Sequence, residues 1–540
     1  MTSDAAREIA EALADAGGDT VFGLPGGGNN LELIGAAEEA GLRFVLTHAE
    51  TPAAIMAGVY AGLTDRPTGC VVTRGPGAAS AVNGVANAML DRQPVVLITD
   101  AVSVDDRQRI AHQRLDQRAL LAEVSKASGS LGRGDAGSTS RDAVTTALTH
   151  PQGPVHLDFD PAATSTRLEL RATSGHTEDT AARDRLVELL SAARRPVLLL
   201  GVGARHAAGA VRRLAESAGA PVLTTYRAKG LIPDTHPTNA GLLTGATSEA
   251  PVLRVADLVV TVGLDSVELI PAAWPYPAPV VSVAEWRETS PYFDLQAEVV
   301  DDLEKLVAEL EQHWPETDWP KDFAASHRRG ELDRMLAIPG SGDGVEPQTV
   351  VRRVQAATHA GTLVTVDAGA HMLPAMSLWE ADGPDQVLIS SGLATMGFAV
   401  PAAVGAALAR PGQRVVAFTG DGGLGMCLGE LETIVRHRLP VTVVVFNDSR
   451  LSLIAIKAKP EGNGGENAIG YGAIDFATVA HGYGLPGLRA DDVASLDAAL
   501  AEVLAQQGPA LVDVRVDPSG YAAILATVRG QRPEETTPET

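Results

Sequence analysis

The sequence predicts an α/β protein of three domains, with mainly parallel sheets flanked by helices. Three observations predict it. The chain has 540 residues, which at roughly 150 residues per domain suggests about three or four domains. Short β-branched runs alternate with Ala-rich helical stretches along its whole length, the pattern of βαβ units. The strand candidates at 94–100, 196–201 and 440–446 are bare apolar runs, as suits strands covered on both faces. Each opens Pro-Val, and proline is tolerated at a strand's first residue.

The first domain is expected over 1–170. Its start, MTSDAAREIAEALADAGGD, is acidic and lacks a long apolar core, so it does not read as a signal peptide. GPVHLDFDP at 153–161 reads as the closing strand of that domain, and GPALVDVRVDP at 508–518 recurs at the end of the third. This recurrence makes the first and last thirds related modules. Composition shifts near 165–185 and 315–347 mark boundaries, the second rich in Pro, Gly and charge. The central domain is then 185–335 and the third 345–528. The polar tail from 529 onward is expected to fray. The weakly apolar run at 394–409 is short for a membrane span and broken by Pro401. It reads as a buried loop and helix start.

Composition excludes several classes of function. Lys and Arg sum to 43 against 67 Asp and Glu, a net charge of −24. Such acidity repels nucleic acid and anionic lipid, so neither is an expected partner. An apolar fraction of 45% with 20% charged residues is that of a folded globular chain. Cys70 and Cys427 are the only cysteines, too few for a disulfide framework or a zinc cluster, which fits a cytoplasmic location.

Most of the chemistry lies in RVVAFTGDGGLG at 414–425. A strand at 414–419 enters a glycine turn, and an amphipathic helix follows with Leu424, Leu428, Leu431, Val435 and Leu439 on one face. Backbone N–H groups at such a helix start can close on a phosphate. Gly420, Gly422 and Gly425 satisfy a dinucleotide-type spacing, which leaves open a nicotinamide-dependent dehydrogenase or a mere tight turn. Asp421 weighs against the dehydrogenase, because a carboxylate facing a pyrophosphate repels it. It makes sense when a divalent cation lies between the two. The next strand ends in Phe446-Asn447-Asp448, 27 residues after Asp421. A helix returning to an adjacent parallel strand places both carboxylates at one sheet edge, as an Mg²⁺ site needs.

GDG, a helix, and a strand ending in Asn-Asp resemble the signature of thiamine diphosphate (ThDP) enzymes. The resemblance extends through VFGLPGG (21–27), AETPAAIMAGVYAG (49–62), GPGAASAVNGVANAMLDRQPVVLITD (75–100) and SGLATMGFAVPAAVGAA (391–407). It is to acetolactate synthase-like and benzoylformate decarboxylase-like 2-oxo acid decarboxylases and carboligases. It implies a pyrimidine-binding first domain, a central domain and a third domain for diphosphate and metal. It implies ThDP and Mg²⁺ as cofactors, a 2-oxo acid substrate with a second carbonyl acceptor, and a homodimer or dimer of dimers with sites between chains. Glu50 matches the glutamate that hydrogen-bonds the pyrimidine and so drives loss of the thiazolium C2 proton. Met396 matches the bulky residue under the thiazolium, and the Ala394 carbonyl the acceptor for the 4′-amino group. Asp421, Asp448 and the Arg450 carbonyl match the metal ligands. Gly420 belongs to the same turn. Gly422, Gly423 and the backbone of Ala370 and His371 match the diphosphate seat. Gln117 aligns with a glutamine near the reacting centre.

Departures from the family pattern cluster where substrate should bind. Ala49 stands in place of a histidine, Arg74 in place of a serine, Asp116 in place of an aromatic residue, and Lys457 in place of a tryptophan. Asn29 and Asn30 follow Gly27-Gly28 where apolar residues are common. Arg74 or Lys457 is expected to bind a substrate anion. No paired-histidine motif of aldehyde-releasing decarboxylases is evident, so ligation is preferred over simple aldehyde release. FAD in the central domain is a family option without a flavin-specific residue set here.

Overall fold

The computed structural model describes residues 3–171, 180–270, 273–287, 292–457 and 465–530. Three sheets follow one another along the chain. The first contains β1 (Thr20–Leu24), β2 (Arg43–Leu46), β3 (Thr68–Val72), β4 (Val95–Asp100), β5 (Ala127–Arg133), β6 (Val155–Thr164) and β7 (Glu169–Leu170). The second contains β8 (Pro196–Leu200), β9 (Val222–Thr224), β10 (Asn239–Leu242), β11 (Leu258–Val262), β12 (Val280–Ala284) and β13 (Leu295–Val300). The third contains β14 (Leu363–Val366), β15 (Val387–Ile389), β16 (Val415–Gly420), β17 (Val441–Asn447), β18 (Gly487–Ala490) and β19 (Ala510–Arg515). Pairing is parallel except for the two-residue β7 against β5.

The first sheet is ordered β2-β1-β3-β4-β6-β5-β7 and the third β15-β14-β16-β17-β19-β18. Renumbered within each domain, the first six strands of both follow the order 2-1-3-4-6-5. The two recurring GP…DP segments are β6 and β19, each lying inside its sheet between the two strands before it in sequence. The central sheet differs, with order β10-β9-β8-β11-β12-β13, the 3-2-1-4-5-6 arrangement of doubly wound folds.

Burial explains the bare strands. β3, β8, β11, β12 and β14 are buried at every residue. One core joins the first and third domains. The Glu50–Thr64 helix is buried from Pro52 to Leu63, and the Ala399–Ala409 helix from Ala399 to Leu408. Helices apolar all round must be covered on all sides, and these two cover each other within one cluster. Small residues allow the approach: a Cβ on Gly405 would meet the Met56 carbonyl oxygen at 2.7 Å. The 394–409 run is thus a loop and a buried helix, and no helix among the described residues is long and apolar enough to cross a membrane.

Polar contacts tie in the central domain. Arg92 grips Asp265 with Nε and Nη2 at 2.6 and 3.0 Å. Asp234 pairs with Lys229 at 2.6 Å and accepts the Ala381 N–H at 2.8 Å.

Two local expectations are revised. The single helix expected after Asp421 is two, Asp421–Gly425 and Glu430–Arg436. Gly422, Gly423, Gly425 and Gly429 weaken helix propensity across the junction, and the His48 N–H draws Glu430 Oε1 to 2.9 Å. The 315–347 stretch is also more than a linker, because it holds the helix Phe323–Leu336 with Ala324 and Met335 buried; Arg329, Asp333 and Arg334 are exposed, while Arg328 and Glu331 are largely covered. Part of the expected 165–185 boundary and most of the tail, 531–540, lie outside the described residues.

Candidate active site

Strands β16 and β17 pair in parallel, Gly420 opposite Phe446, and deliver Asp421 and Asp448 to one edge. Asp421 Oδ2 accepts the N–H groups of Asp448 at 3.2 Å and Ser449 at 2.6 Å. Its Oδ1 accepts the Gly422 N–H at 2.7 Å and the Tyr471 hydroxyl at 2.5 Å. Asp448 accepts the Arg450 N–H at 3.1 Å on Oδ1 and the Ser452 hydroxyl on Oδ2. The chain turns between them through Ser449 at φ +58°. Burial pushes both carboxyls up. Asp448 reaches about 6, with repulsion from Asp421 adding to burial. Paired buried carboxylates of this kind call for a cation.

They open on a cavity of about 360 Å³. Its lining contains Ala370, His371, Ala394, Met396, Gly420, Asp421, Gly422, Gly423, Asp448, Arg450 and Lys457. Eleven residues singled out in the sequence thus share one wall system, supplied by the third domain alone. The wall tolerates little change: a Cβ on Gly422 would meet Leu451 Cδ2 and the Tyr471 hydroxyl at 3.0 Å and Met396 Cε at 3.4 Å. Two short helices start at the cavity, Asp421–Gly425 and Met372–Leu378, and a helix start is the end that anions favour.

The sequence reading missed Asp367 and Tyr471. Asp367 is fully buried and accepts from the N–H groups of Ala368 (2.8 Å), Gly397 (3.1 Å) and Phe398 (3.4 Å) and from the Thr419 hydroxyl (3.1 Å). It thereby pins the Ala394–Met396 turn against the end of β16. Burial raises its carboxyl to about 6. Ala394 holds φ +52°, a left-handed conformation that disfavours a side chain. Asp367 opens the DAGAHM segment, but nothing local signals that it reaches the Gly397 turn.

The remaining candidates gather elsewhere, at the carboxyl edge of the first sheet. Asp100 is 1% exposed at its side chain and pairs with Arg74 Nη1 at 3.1 Å. It also accepts the backbone N–H and side-chain Nδ2 of Asn29 at 3.2 and 3.0 Å. Gly27 and Gly28 precede this contact, and a Cβ on Gly28 would strike Asp100 Oδ2 at 2.1 Å. Glu50 opens its helix near Gly77, whose added Cβ would lie 3.2 Å from Glu50 Oε1. Gln117 is buried. Its Oε1 accepts the Gly75 N–H at 2.8 Å, and its Nε2 donates to Asp158 Oδ1 at 2.7 Å, Thr99 Oγ1 at 3.1 Å and the Asp100 carbonyl at 3.1 Å. Its amide therefore shapes the Gly75 turn, where φ is +67°. Lys457 lines the third-domain cavity, and Arg74 is not among the described residues that line it.

The third-domain cavity fits a diphosphate and a divalent cation. The carboxylate pair supplies oxygen ligands, the glycine edge admits close backbone approach, and His371 Nε2 is buried there with no hydrogen-bond partner. The turn after β8 in the central domain gives no such seat. After β8, the Val202 N–H donates to Glu268 Oε2 at 2.8 Å, and a Cβ on Gly201 would meet Leu264 Cα at 2.3 Å. A buried carboxyl fills the place of a phosphate, so this turn does not suit FAD.

Three family models match in sequence order. The thiamine pyrophosphate enzyme N-terminal TPP binding domain covers residues 3–120, the central domain 183–310 and the C-terminal TPP binding domain 367–514. The chain belongs to the thiamine pyrophosphate enzyme family. Its relatives match it nearly end to end. The acetolactate synthase isozyme 1 large subunit of Escherichia coli (strain K12) is 29% identical, covering 95% of this chain and 94% of that one. The acetolactate synthase of Bacillus subtilis (strain 168) is 28% identical, covering 95% and 93%. A chain of Oryza sativa subsp. japonica described as probable acetolactate synthase 2, chloroplastic, is 30% identical, covering 94% and 82%. In this thiamine pyrophosphate enzyme the cavity lies inside the C-terminal TPP binding domain, and Glu50 and Arg74 lie inside the N-terminal one. The nicotinamide reading of the glycine turn is thereby set aside.

Proposed function

We propose that this enzyme decarboxylates a 2-oxo acid and joins the remaining fragment to a second carbonyl compound, as an acetolactate synthase-like carboligase. The observation that carries the reading is the shared cavity of Asp421, Asp448, the glycine edge and Met396. The names of the full-length relatives favour ligation over aldehyde release. When bound, ThDP supplies a nucleophilic carbon and an electron sink for the carbon–carbon bond.

The chain's residues do the rest. Asp421, Asp448 and the Arg450 carbonyl would hold Mg²⁺. The backbone of Gly422, Gly423, Ala370 and His371, on the same wall, would hold the diphosphate. Met396 and the Ala394 carbonyl, both on the cavity wall, would contact the cofactor and position it. Glu50 would hydrogen-bond the pyrimidine and hold a proton there. Glu50 does not line the cavity of its own chain, which supports a site completed by a partner chain and a working unit of at least a homodimer. Arg74 reads a substrate anion. Asp100 balances one edge of its guanidinium, and its buried Nε has no hydrogen-bond partner within the chain. Lys457, on the third-domain cavity, is the second cation for reading that anion, and Gln117 holds the Gly75 turn. A cytoplasmic location belongs to the same reading.

Subunit mixing tests it. Glu50→Gln and Asp448→Asn are each expected to be inactive on pyruvate and related 2-oxo acids. Mixed and allowed to exchange subunits, they should recover roughly a quarter of wild-type CO₂ release, since half of the random dimers carry one intact site. No recovery despite proven exchange would place each site within one chain.

A further inference from the structure

Away from the cofactor cavity, the junction of the first and central domains gathers two histidines and a carboxylate. His150 follows the last helix of the first domain, His206 lies in the 3₁₀ turn after β8, and Glu285 follows β12. One potential ligand atom from each lies within 4.8 Å of the other two. His150 Nδ1 and Glu285 Oε2 are 3.6 Å apart. Two ligand bonds of about 2.1 Å across a tetrahedral angle require roughly 3.4 Å.

We propose that His150, His206 and Glu285 form a binding site for a divalent transition metal, Zn²⁺ by preference, that clamps the first domain to the central one. Two imidazoles and a carboxylate are a ligand set suited to Zn²⁺. Glu285 Oε2 is buried without a hydrogen-bond partner, a cost that a metal bond removes. The His150 ring is held in place by Trp286, which stacks on it at 5.8 Å and 13°. The His206 ring meets it edge-on at 5.0 Å. Arg205 lies beside both histidines, and carboxylates balance its charge. It donates to the Gly62 carbonyl at 2.7 Å and to Asp65, and it lies 3.6 Å from Asp385. Its Nε makes only a long 3.4 Å contact with His206 Nε2. The site is independent of the cofactor reading, as it shares no residue with that cavity.

The test uses the full chain saturated with ThDP and Mg²⁺, so that the carboxylate pair is occupied. Excess Zn²⁺ is added, the protein is desalted, and retained metal is counted by mass spectrometry. Wild type should keep one Zn²⁺ per chain and melt at a higher temperature for it. Glu285→Gln, which preserves shape, and His206→Asn should each fold as wild type and lose at least tenfold in Zn²⁺ affinity. No retained Zn²⁺ in wild type would overturn the proposal, as would equal retention by both variants. Should His206→Asn fail to fold, Glu285→Gln alone decides.

Discussion

Asp421 Oδ2 accepts the backbone N–H of Asp448 at 3.2 Å, so the metal-side carboxylate of one strand fixes the backbone that carries the other. Two acids that repel one another are thereby held at a common edge. Asp448→Asn keeps this backbone contact but removes one anionic ligand. Mg²⁺ affinity should fall on the order of 100-fold, and ThDP affinity with it. Calorimetric titration checks it; an unchanged Mg²⁺ isotherm would refute the ligand role.

Glu50→Gln should retain ThDP binding while slowing C2 proton exchange by about 100-fold or more, within the range of general acid–base effects. NMR of quenched exchange on the reconstituted enzyme measures this. Equal exchange rates would remove Glu50 from the chemistry.

Asp367 makes stability depend on pH. Its folded carboxyl titrates near 6, above the value of about 3.9 in an unfolded chain. Between those values the folded state binds more protons, so stability falls as pH rises through about 4 to 6, by on the order of 3 kcal/mol from this group. Asp367→Asn should flatten that slope. It should also lower stability at every pH, because an amide NH₂ then faces N–H donors. Denaturant midpoints from pH 4 to 7 show both effects.

Ala394→Gly should stabilise the fold by about 0.5–1 kcal/mol, since a left-handed alanine costs about 1–2 kcal/mol and the glycine's extra unfolded-state entropy returns part of it. Activity should persist, because only the carbonyl is used. A lower Tm for Ala394→Gly would contradict the strain at φ +52°.

Lys457→Ala should raise KM for the 2-oxo acid about tenfold with a smaller change in kcat, the signature of a lost charge-assisted contact. Arg74→Ala should do the same and lose stability as well, because it leaves Asp100 buried without its cation. Unchanged KM values for both would remove the anion-reading role.

Most of the fold was legible because parallel strands buried on both faces leave unbroken runs, as in β4, β8 and β17. The third-domain half of the site was equally legible: strand–Gly–Asp and strand–Asn–Asp place their ends at a shared edge by topology alone. Contacts between distant segments were not legible. Asp367 reaches the Gly397 turn 30 residues away, and Tyr471 reaches Asp421 from 50 residues away. The full engagement of Gln117 had no local sign either. A glutamine's four hydrogen-bonding positions can be filled only by a folded neighbourhood.

The core common to the Glu50–Thr64 and Ala399–Ala409 helices has a consequence for how such chains can be rearranged. The two cofactor-binding domains are welded through helices apolar on every side, so neither can be excised without baring a sticky surface. The central domain keeps a separate core of its own residues, 186–324. It is the exchangeable piece. Insertions, grafts and drift should be tolerated there, while the outer pair must be inherited, folded and lost together.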